Sequence, residues 1–81
     1  MQQALKEPGQ RVVGARQVLR AIPMGTVREV FIARDADPFV TRPVMDACEK
    51  AKIRITEMDS MVQLGTACGI AVKASVAGLL A

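Results

Sequence analysis

Apolar residues recur at i, i+3, i+4 and i+7 in two stretches of the chain, the spacing that places side chains on one face of a helix. The first stretch starts at Gly14 and is ended by Pro23, because proline interrupts a helix. The second starts near Pro43, with Thr41 or Arg42 before it, since proline suits the first helical position. The two apolar faces consist of Ala15, Val18, Leu19 and Ile22, and of Val44, Ala47, Cys48 and Ala51.

Runs of β-forming residues lie between these helices. Val27–Ala33 contains a continuous apolar run, residues 53–58 alternate isoleucine with polar residues, and Arg11–Val13 forms a short strand. A third helix is predicted over residues 61–68, between an N-cap serine and a glycine that follows its end. Residues 72–80 are predicted as a last buried strand, although Gly78 leaves a helix possible there.

Strands and helices therefore alternate as βαβαβαβ, preceded by one or two helical turns over residues 2–6. Such alternation is typical of a sheet covered by helices on both faces. We predict an α/β fold, a three-layer α/β/α sandwich with a small four-stranded mixed sheet. A chain of 81 residues has no room for a second core, so we expect a single domain over residues 1–81.

The composition excludes several classes of function. Histidine is absent, which removes the commonest general base and the commonest metal ligand. Cys48 and Cys68 do not form a CxxC pair, and we expect both to be small, reduced, buried side chains. No catalytic constellation, metal site or cofactor motif is found, so we predict a protein that is not an enzyme and binds no cofactor.

The start of the chain lacks the basic residues and the apolar run of a signal peptide. The apolar tract of residues 74–81 is too short to span a bilayer. We therefore expect a cytoplasmic protein without a membrane partner, and a monomer.

Charge is distributed unevenly around a net value of +3. Residues 1–28 contain five basic residues and one acidic residue, whereas residues 29–59 contain seven acidic and five basic residues. A basic segment suits a polyanionic partner, although ordinary solvated charge explains it equally well. Because Phe31 and Phe39 are the only aromatic residues, base stacking on aromatic side chains is not expected.

The first candidate site is the helix that starts at Gly14 and Ala15. A helix N-terminus leaves N–H groups unpaired, and a glycine there allows a phosphate to approach the backbone. Arg16 and Arg20 are four residues apart and share the polar face with Gln17. Guanidinium and amide groups hydrogen-bond base edges and phosphates. The alternative is an amphipathic helix whose polar face is merely solvated.

Two loops form the other candidate sites. Asp35 and Asp37 lack a third group for Mg²⁺ binding or acid–base catalysis, so they are expected to cap a helix or form an Asx-turn, or to accept hydrogen bonds from an unpaired base. Ile70, Ala71 and Val72 either pack against an unstacked base or begin the last buried strand. Whether the three segments share one edge of the sheet decides whether they form a single site.

Taken in order, the three blocks resemble the ribosomal L-seven-Ae (L7Ae) family of kink-turn RNA-binding proteins, and the chain resembles a short bacterial member. The resemblance covers residues 11–80. The blocks are Gly14-Ala15, Ala33-Arg34-Asp35-Ala36-Asp37-Pro38 and Leu64-Gly65-Thr66-Ala67-Cys68-Gly69.

The resemblance implies a binding partner and a set of contacts. The partner is a structured RNA, ribosomal or regulatory, that bends sharply beside tandem sheared G·A pairs. The helix opened by Gly14 and Ala15 reads the guanines through three polar positions, and the loop after the third helix packs against bulged nucleotides. The matching residues are Arg16, Gln17 and Arg20 in the helix and Ile70, Ala71, Val72 and Lys73 in the loop.

Two further positions bear on an extruded base. Asp37 matches an acidic position that contacts such a base, and Met61 stands where many relatives have a lysine. Other readings remain open: a ribosome-associated or RNA-processing accessory without kink-turn selectivity, a protein–protein adaptor of the same fold, or the substrate-recruiting domain of an RNA methyltransferase.

Overall fold

Four strands and three α-helices alternate along residues 5–81, the part of the chain that the computed structural model describes. Short 3₁₀ turns precede the first strand and follow the first helix. The helical turn expected at residues 2–6 falls largely outside the described residues. The strands are β1 (Arg11–Val13), β2 (Val27–Ala33), β3 (Arg54–Met58) and β4 (Val76–Leu80), and the helices are α1 (Ala15–Ala21), α2 (Pro38–Ala51) and α3 (Met61–Ala67).

The strands form one mixed sheet in the order β1-β4-β2-β3. β4 runs antiparallel to both β1 and β2, while β2 and β3 are parallel. β1, β2 and β3 therefore end at one edge of the sheet, at Val13, Ala33 and Met58, and β4 begins there at Val76. This edge is called the upper edge below.

Helices cover both faces of the sheet, as predicted. Along β2, Val30 and Ile32 pack into a core with residues of α1 and α2, whereas Phe31 and Ala33 pack into a second core with residues of α3. This separation follows from the strand geometry, because successive side chains point to opposite faces. The three-layer α/β/α sandwich with a four-stranded mixed sheet is confirmed.

α2 begins five residues earlier than the sequence predicted. Its first residue is Pro38, and Asp37 rather than Thr41 or Arg42 is its N-cap. Pro43 lies inside the helix, where its missing N–H leaves the carbonyl of Phe39 without a helical donor. Both residues are exposed, so water can hydrate that carbonyl. The prediction was wrong because either proline suits a first helical position, and only the earlier one follows a carboxylate cap.

The last strand begins at Val76, four residues later than predicted. Residues 71–73 are exposed and belong to the connection between α3 and β4. Of the two readings of this segment, the start of a buried strand is therefore wrong. The bounds of α3 agree with the prediction to within one residue. Ser60 Oγ accepts a hydrogen bond from Gln63 N at 3.1 Å, and Gly69 adopts φ 72° just after the helix.

Both cysteines are free and fully buried, as expected. Burial raises the pKa of the Cys48 thiol. Burial also raises the pKa of the Cys68 thiol, an effect that the charge of Arg11 partly opposes. Both side chains thus behave as small apolar residues of the two cores.

Within residues 5–81, no cluster of three or more His, Cys, Asp or Glu side chains is arranged to hold a metal ion. No helix in that part of the chain has the length and apolar character needed to cross a membrane.

Candidate functional site

Backbone hydrogen bonds bring the three candidate segments to the upper edge. Gly14 N donates to Val76 O at 2.8 Å, which joins the start of α1 to the start of β4. Ala33 N donates to Ser75 O at 3.0 Å, which joins the end of β2 to the connection before β4. The starts of α1 and β4 and the end of β2 therefore lie at one edge of the sheet, which the sequence left open.

The loop between β2 and α2 is tied to the same place through α3. Asp35 Oδ1 accepts a hydrogen bond from Met61 N at 2.8 Å, and Met61 O accepts one from Ala74 N at 3.0 Å. The first residue of α3 therefore bridges the aspartate loop and the connection before β4.

Gly14 enables the sharp entry into α1. It adopts φ 100° and ψ 145°, a conformation that residues with a Cβ rarely adopt. A Cβ at this position would have no neighbour within 4 Å, so the requirement for glycine is conformational rather than steric. No side chain among residues 5–81 caps α1. Gly14 and Ala15 are both half-buried.

α1 presents the polar face that the sequence predicted. Val18 and Ala21 are buried in the core shared with α2, while Arg16, Gln17 and Arg20 are exposed. Since Arg16 and Arg20 are one turn apart, their guanidinium groups project from the same side of the helix.

Residues 70–74, called the apolar loop below, are anchored at both ends and exposed in the middle. Ile70 packs against the core under α3, and Ala74 is buried in that core. Between them Ala71, Val72 and Lys73 face solvent, and Val72 is 68% exposed. The loop therefore presents two small aliphatic side chains and one cation, and its two ends are held in place by the core.

The backbone of the apolar loop packs directly against Gly65 of α3, and this contact is called the seat of the loop below. A Cβ on Gly65 would lie 2.2 Å from Val72 O and 3.1 Å from Lys73 Cα. Ile70 N also donates to Gly65 O at 3.1 Å. Sequence reasoning did not assign this role to Gly65. The available signal was a glycine inside a short helix, which costs about 1 kcal/mol relative to alanine and therefore calls for a packing reason.

The two aspartates of the β2–α2 loop act separately as helix caps. Asp37 Oδ1 accepts a hydrogen bond from Phe39 N at 2.9 Å at the start of α2, and Asp35 serves the start of α3. The helix-capping interpretation is thus confirmed for both. Asp37 remains exposed, and its contact with an extruded base stays a prediction.

Replacing Asp35 with alanine is expected to lower the free energy of unfolding by about 0.5–2 kcal/mol, the usual effect of losing a helix cap. Met61 N would lose its carboxylate acceptor, and the joint between two segments of the upper edge would loosen. Urea unfolding followed by circular dichroism measures the change. Asp46→Ala, at an exposed position in the middle of α2, is the matched control. Equal stability of the two variants would contradict the capping role.

The basic residues of the first third of the sequence do not form one patch. Arg11 donates from Nε to Leu5 O at 2.9 Å and from Nη2 to Cys68 O at 3.4 Å. Arg28 lies near the edge opposite the upper one, because β2 starts there. Arg16 and Arg20 lie on α1, which starts at the upper edge, so Arg16 is in the turn next to that edge and Arg20 is one turn further from it.

Phe39 is the surface residue that sequence reasoning missed. The chain has two phenylalanines, and the expectation against aromatic stacking treated neither as available. Phe31 is buried, but Phe39 is 90% exposed in the first turn of α2. The sequence predicts a start of α2 near Pro43, which leaves Phe39 and Val40 outside the helix and without a predicted helical face.

Comparison with known proteins defines the class to which this fold and site belong. The model of the ribosomal protein L7Ae/L30e/S12e/Gadd45 family matches residues 1–80. An RNA-binding protein of Geobacillus sp. strain WCH70 is 40% identical over 74 residues, which is 91% of this chain and 90% of that protein. An RNA-binding protein of Caldanaerobacter subterraneus subsp. tengcongensis is 44% identical over 70 residues, or 86% and 85% of the two chains.

Solved structures agree on the fold. The 15.5kD RNA binding protein of Giardia lamblia superposes with a TM-score of 0.89 at 27% identity, covering 99% of this chain and 70% of that one. A Bacillus halodurans protein of unknown function superposes with a TM-score of 0.84 at 25% identity, covering 96% and 81%. The chain belongs to the ribosomal protein L7Ae/L30e/S12e/Gadd45 family.

Proposed function

We propose that this protein binds RNA without catalysing a reaction, and that its target is a kink-turn, a helix bent sharply beside tandem sheared G·A pairs. The observation that carries the proposal is the meeting of the α1 start, the aspartate loop and the apolar loop at the upper edge. The names of the bacterial relatives support RNA as the partner. We further propose that it acts as a cytoplasmic monomer.

Recognition starts from the shape of the RNA. A kink crowds phosphates on the inside of the bend, and their repulsion favours the open form. Cationic groups of Arg16, Arg20 and Lys73 offset that repulsion. A protein that binds only the bent form shifts the RNA population toward it.

The guanines beside the bend are read by the exposed face of α1. Arg16 donates two parallel hydrogen bonds to a guanine edge or a phosphate, and Gln17 both donates and accepts at a base edge. Arg20 reaches one turn further along the groove. The half-buried Gly14 and Ala15 let the RNA approach the helix start closely.

The apolar loop supplies contacts to unstacked nucleotides. An unpaired base exposes its planar face, and Ala71 and Val72 offer a small aliphatic surface against which that face packs. Lys73 adds a cation beside it. Asp37 accepts hydrogen bonds from an extruded base, with Met61 nearby in place of a cation.

A bending assay tests the proposal. A kink-turn RNA labelled with a fluorophore at each end is expected to show increased energy transfer when the protein is added. A control RNA whose G·A pairs are replaced by Watson–Crick pairs is expected to stay extended and to bind at least about tenfold more weakly, a difference of about 1.4 kcal/mol.

The two RNAs separate the competing readings. Equal affinity and no bending of either RNA would reject kink-turn selectivity and favour an accessory that binds RNA through the same edge. If the protein binds neither RNA although circular dichroism shows that it is folded, RNA binding is rejected and a protein–protein adaptor is favoured.

A further inference from the structure

Phe39 is exposed in a way that the proposed contacts do not use. Its side chain is 90% exposed, although a phenyl ring is usually buried or half-buried in a folded domain. The backbone that carries the ring is also held in place. Pro38 precedes it at the first position of α2, and Phe39 N donates to Asp37 Oδ1 at 2.9 Å. A rigid helix therefore presents the ring, two residues after a residue of the candidate interface.

The ring belongs to a shallow groove on the outer face of α2. Pro38, Phe39, Arg42, Pro43 and Asp46 line this groove. Phe39 and Arg42 are three residues apart, so their side chains are neighbours on one helical face. The groove therefore combines an apolar ring and two prolines with one cation, Arg42, and one carboxylate, Asp46.

Building on the RNA binding proposed above, we propose that Phe39 stacks on an unpaired base outside the bend, while Arg42 contacts a phosphate beside that base. Stacking on an aromatic ring tolerates any base, and a neighbouring arginine supplies the charge that a backbone phosphate needs. The contact extends the interface from Asp37 along α2. It would favour kink-turns that carry single-stranded nucleotides next to a stem over fully paired ones.

An RNA base fits this surface better than a second copy of the chain. A phenylalanine side chain buries about 150–250 Å², whereas a specific protein interface buries about 800 Å² from each partner. One ring and two prolines offer too little apolar surface for a stable dimer, but the ring matches the size of one base. Its continuity with Asp37 also places it beside the proposed RNA rather than on a separate face.

The test compares kink-turn RNAs with and without a single-stranded extension. Each RNA of the set carries three unpaired nucleotides at one strand end, with 2-aminopurine among them, and a blunt kink-turn serves as the reference. Fluorescence anisotropy measures affinity, and 2-aminopurine fluorescence reports stacking. The variants are Phe39→Ala, Phe39→Leu and Arg42→Ala. Met24→Ala is the matched control, since Met24 is a large apolar residue that is 73% exposed elsewhere on the surface.

We expect at least one extension to strengthen binding by the unmodified protein and its 2-aminopurine fluorescence to be quenched in the complex. Phe39→Ala should then lose about 5- to 150-fold in affinity for that RNA and abolish the quenching, with less than about a twofold change on the blunt RNA. Phe39→Leu should recover only part of the affinity, because leucine keeps the apolar contact and lacks the aromatic face. Met24→Ala should match the unmodified protein.

Three results would overturn the proposal. They are an unchanged affinity of Phe39→Ala for every extended RNA, an equal loss on extended and blunt RNAs, and a dimer in sedimentation that Phe39→Ala dissociates. In each of these cases the unmodified protein still binds the blunt kink-turn. If it binds none of the RNAs, the proposed function itself fails, so the two failures are distinguishable.

Discussion

Replacing Gly65 with alanine is expected to abolish high-affinity RNA binding and to lower the free energy of unfolding by about 1–3 kcal/mol, the usual cost of overpacking. The added Cβ would lie 2.2 Å from Val72 O and 3.1 Å from Lys73 Cα. Both are backbone atoms, so no rotation of a side chain relieves the contact. The apolar loop must move away from α3, which displaces the Val72 and Lys73 side chains from the upper edge.

Two measurements on the same preparations test this prediction. Urea unfolding gives the change in stability, and titration of a kink-turn RNA gives the change in affinity. Gly9→Ala is the matched control, because a Cβ on Gly9 would have no neighbour within 4 Å. Undiminished RNA binding by a folded Gly65→Ala variant would show that the apolar loop is not a contact. If that variant does not fold, Val72→Ala and Lys73→Ala test the exposed part of the loop without disturbing its seat.

Removing the cations of α1 is the second change with a large expected effect. We expect Arg16→Ala and Arg20→Ala each to weaken RNA binding by about 1–3 kcal/mol, and the double variant by about 30-fold or more. Each arginine is exposed and projects from a helix fixed to the sheet by buried Val18, so its loss leaves the fold intact.

The salt dependence of binding gives a second readout for these variants. Two to four phosphate contacts predict a slope of about −2 to −4 for log affinity against log salt, and the double variant should reduce that slope by roughly 1–2. Arg28→Ala, an exposed arginine near the opposite edge, is the control and should bind normally. An equal loss in the control would indicate nonspecific attraction by net charge, and unchanged binding by both single variants would reject α1 as the reading element.

Elements with strong local signals could be predicted from the sequence. β2 has the predicted bounds because Val27–Ala33 is a continuous run of β-forming residues. α1 has the predicted faces because its spacing separates Val18 from Arg16 and Arg20. Ser60 caps α3 as expected, since a serine cap acts within three residues of itself.

Two boundaries were predicted wrongly, for different reasons. The start of α2 is set by a local signal, the Asp37 carboxylate directly before Pro38, whereas the preference of proline for a first helical position does not by itself distinguish Pro38 from Pro43. The start of β4 is fixed by its pairing with β2, in which Val76 lies opposite Ile32. Local sequence does not report that register, because Val72 is as apolar as the strand that follows it.

The candidate site was predictable only where its residues follow a local pattern. Periodicity identified Arg16, Gln17 and Arg20 as an exposed face, and the structure places them on one. The seat at Gly65 was not predictable, because it depends on how the chain folds back over α3. The exposure of Phe39 depends on the true start of α2, which the sequence placed too late.

The position of β4 between β1 and β2 has a consequence for biosynthesis. β4 follows the other three strands along the chain, yet β1 pairs with it and not with β2. β1 therefore has no strand to pair with until β4 has been synthesised, about 60 residues and several seconds later. Closure of the sheet depends on that distant segment, and a polypeptide truncated before Val76 would leave β1 with no strand to join.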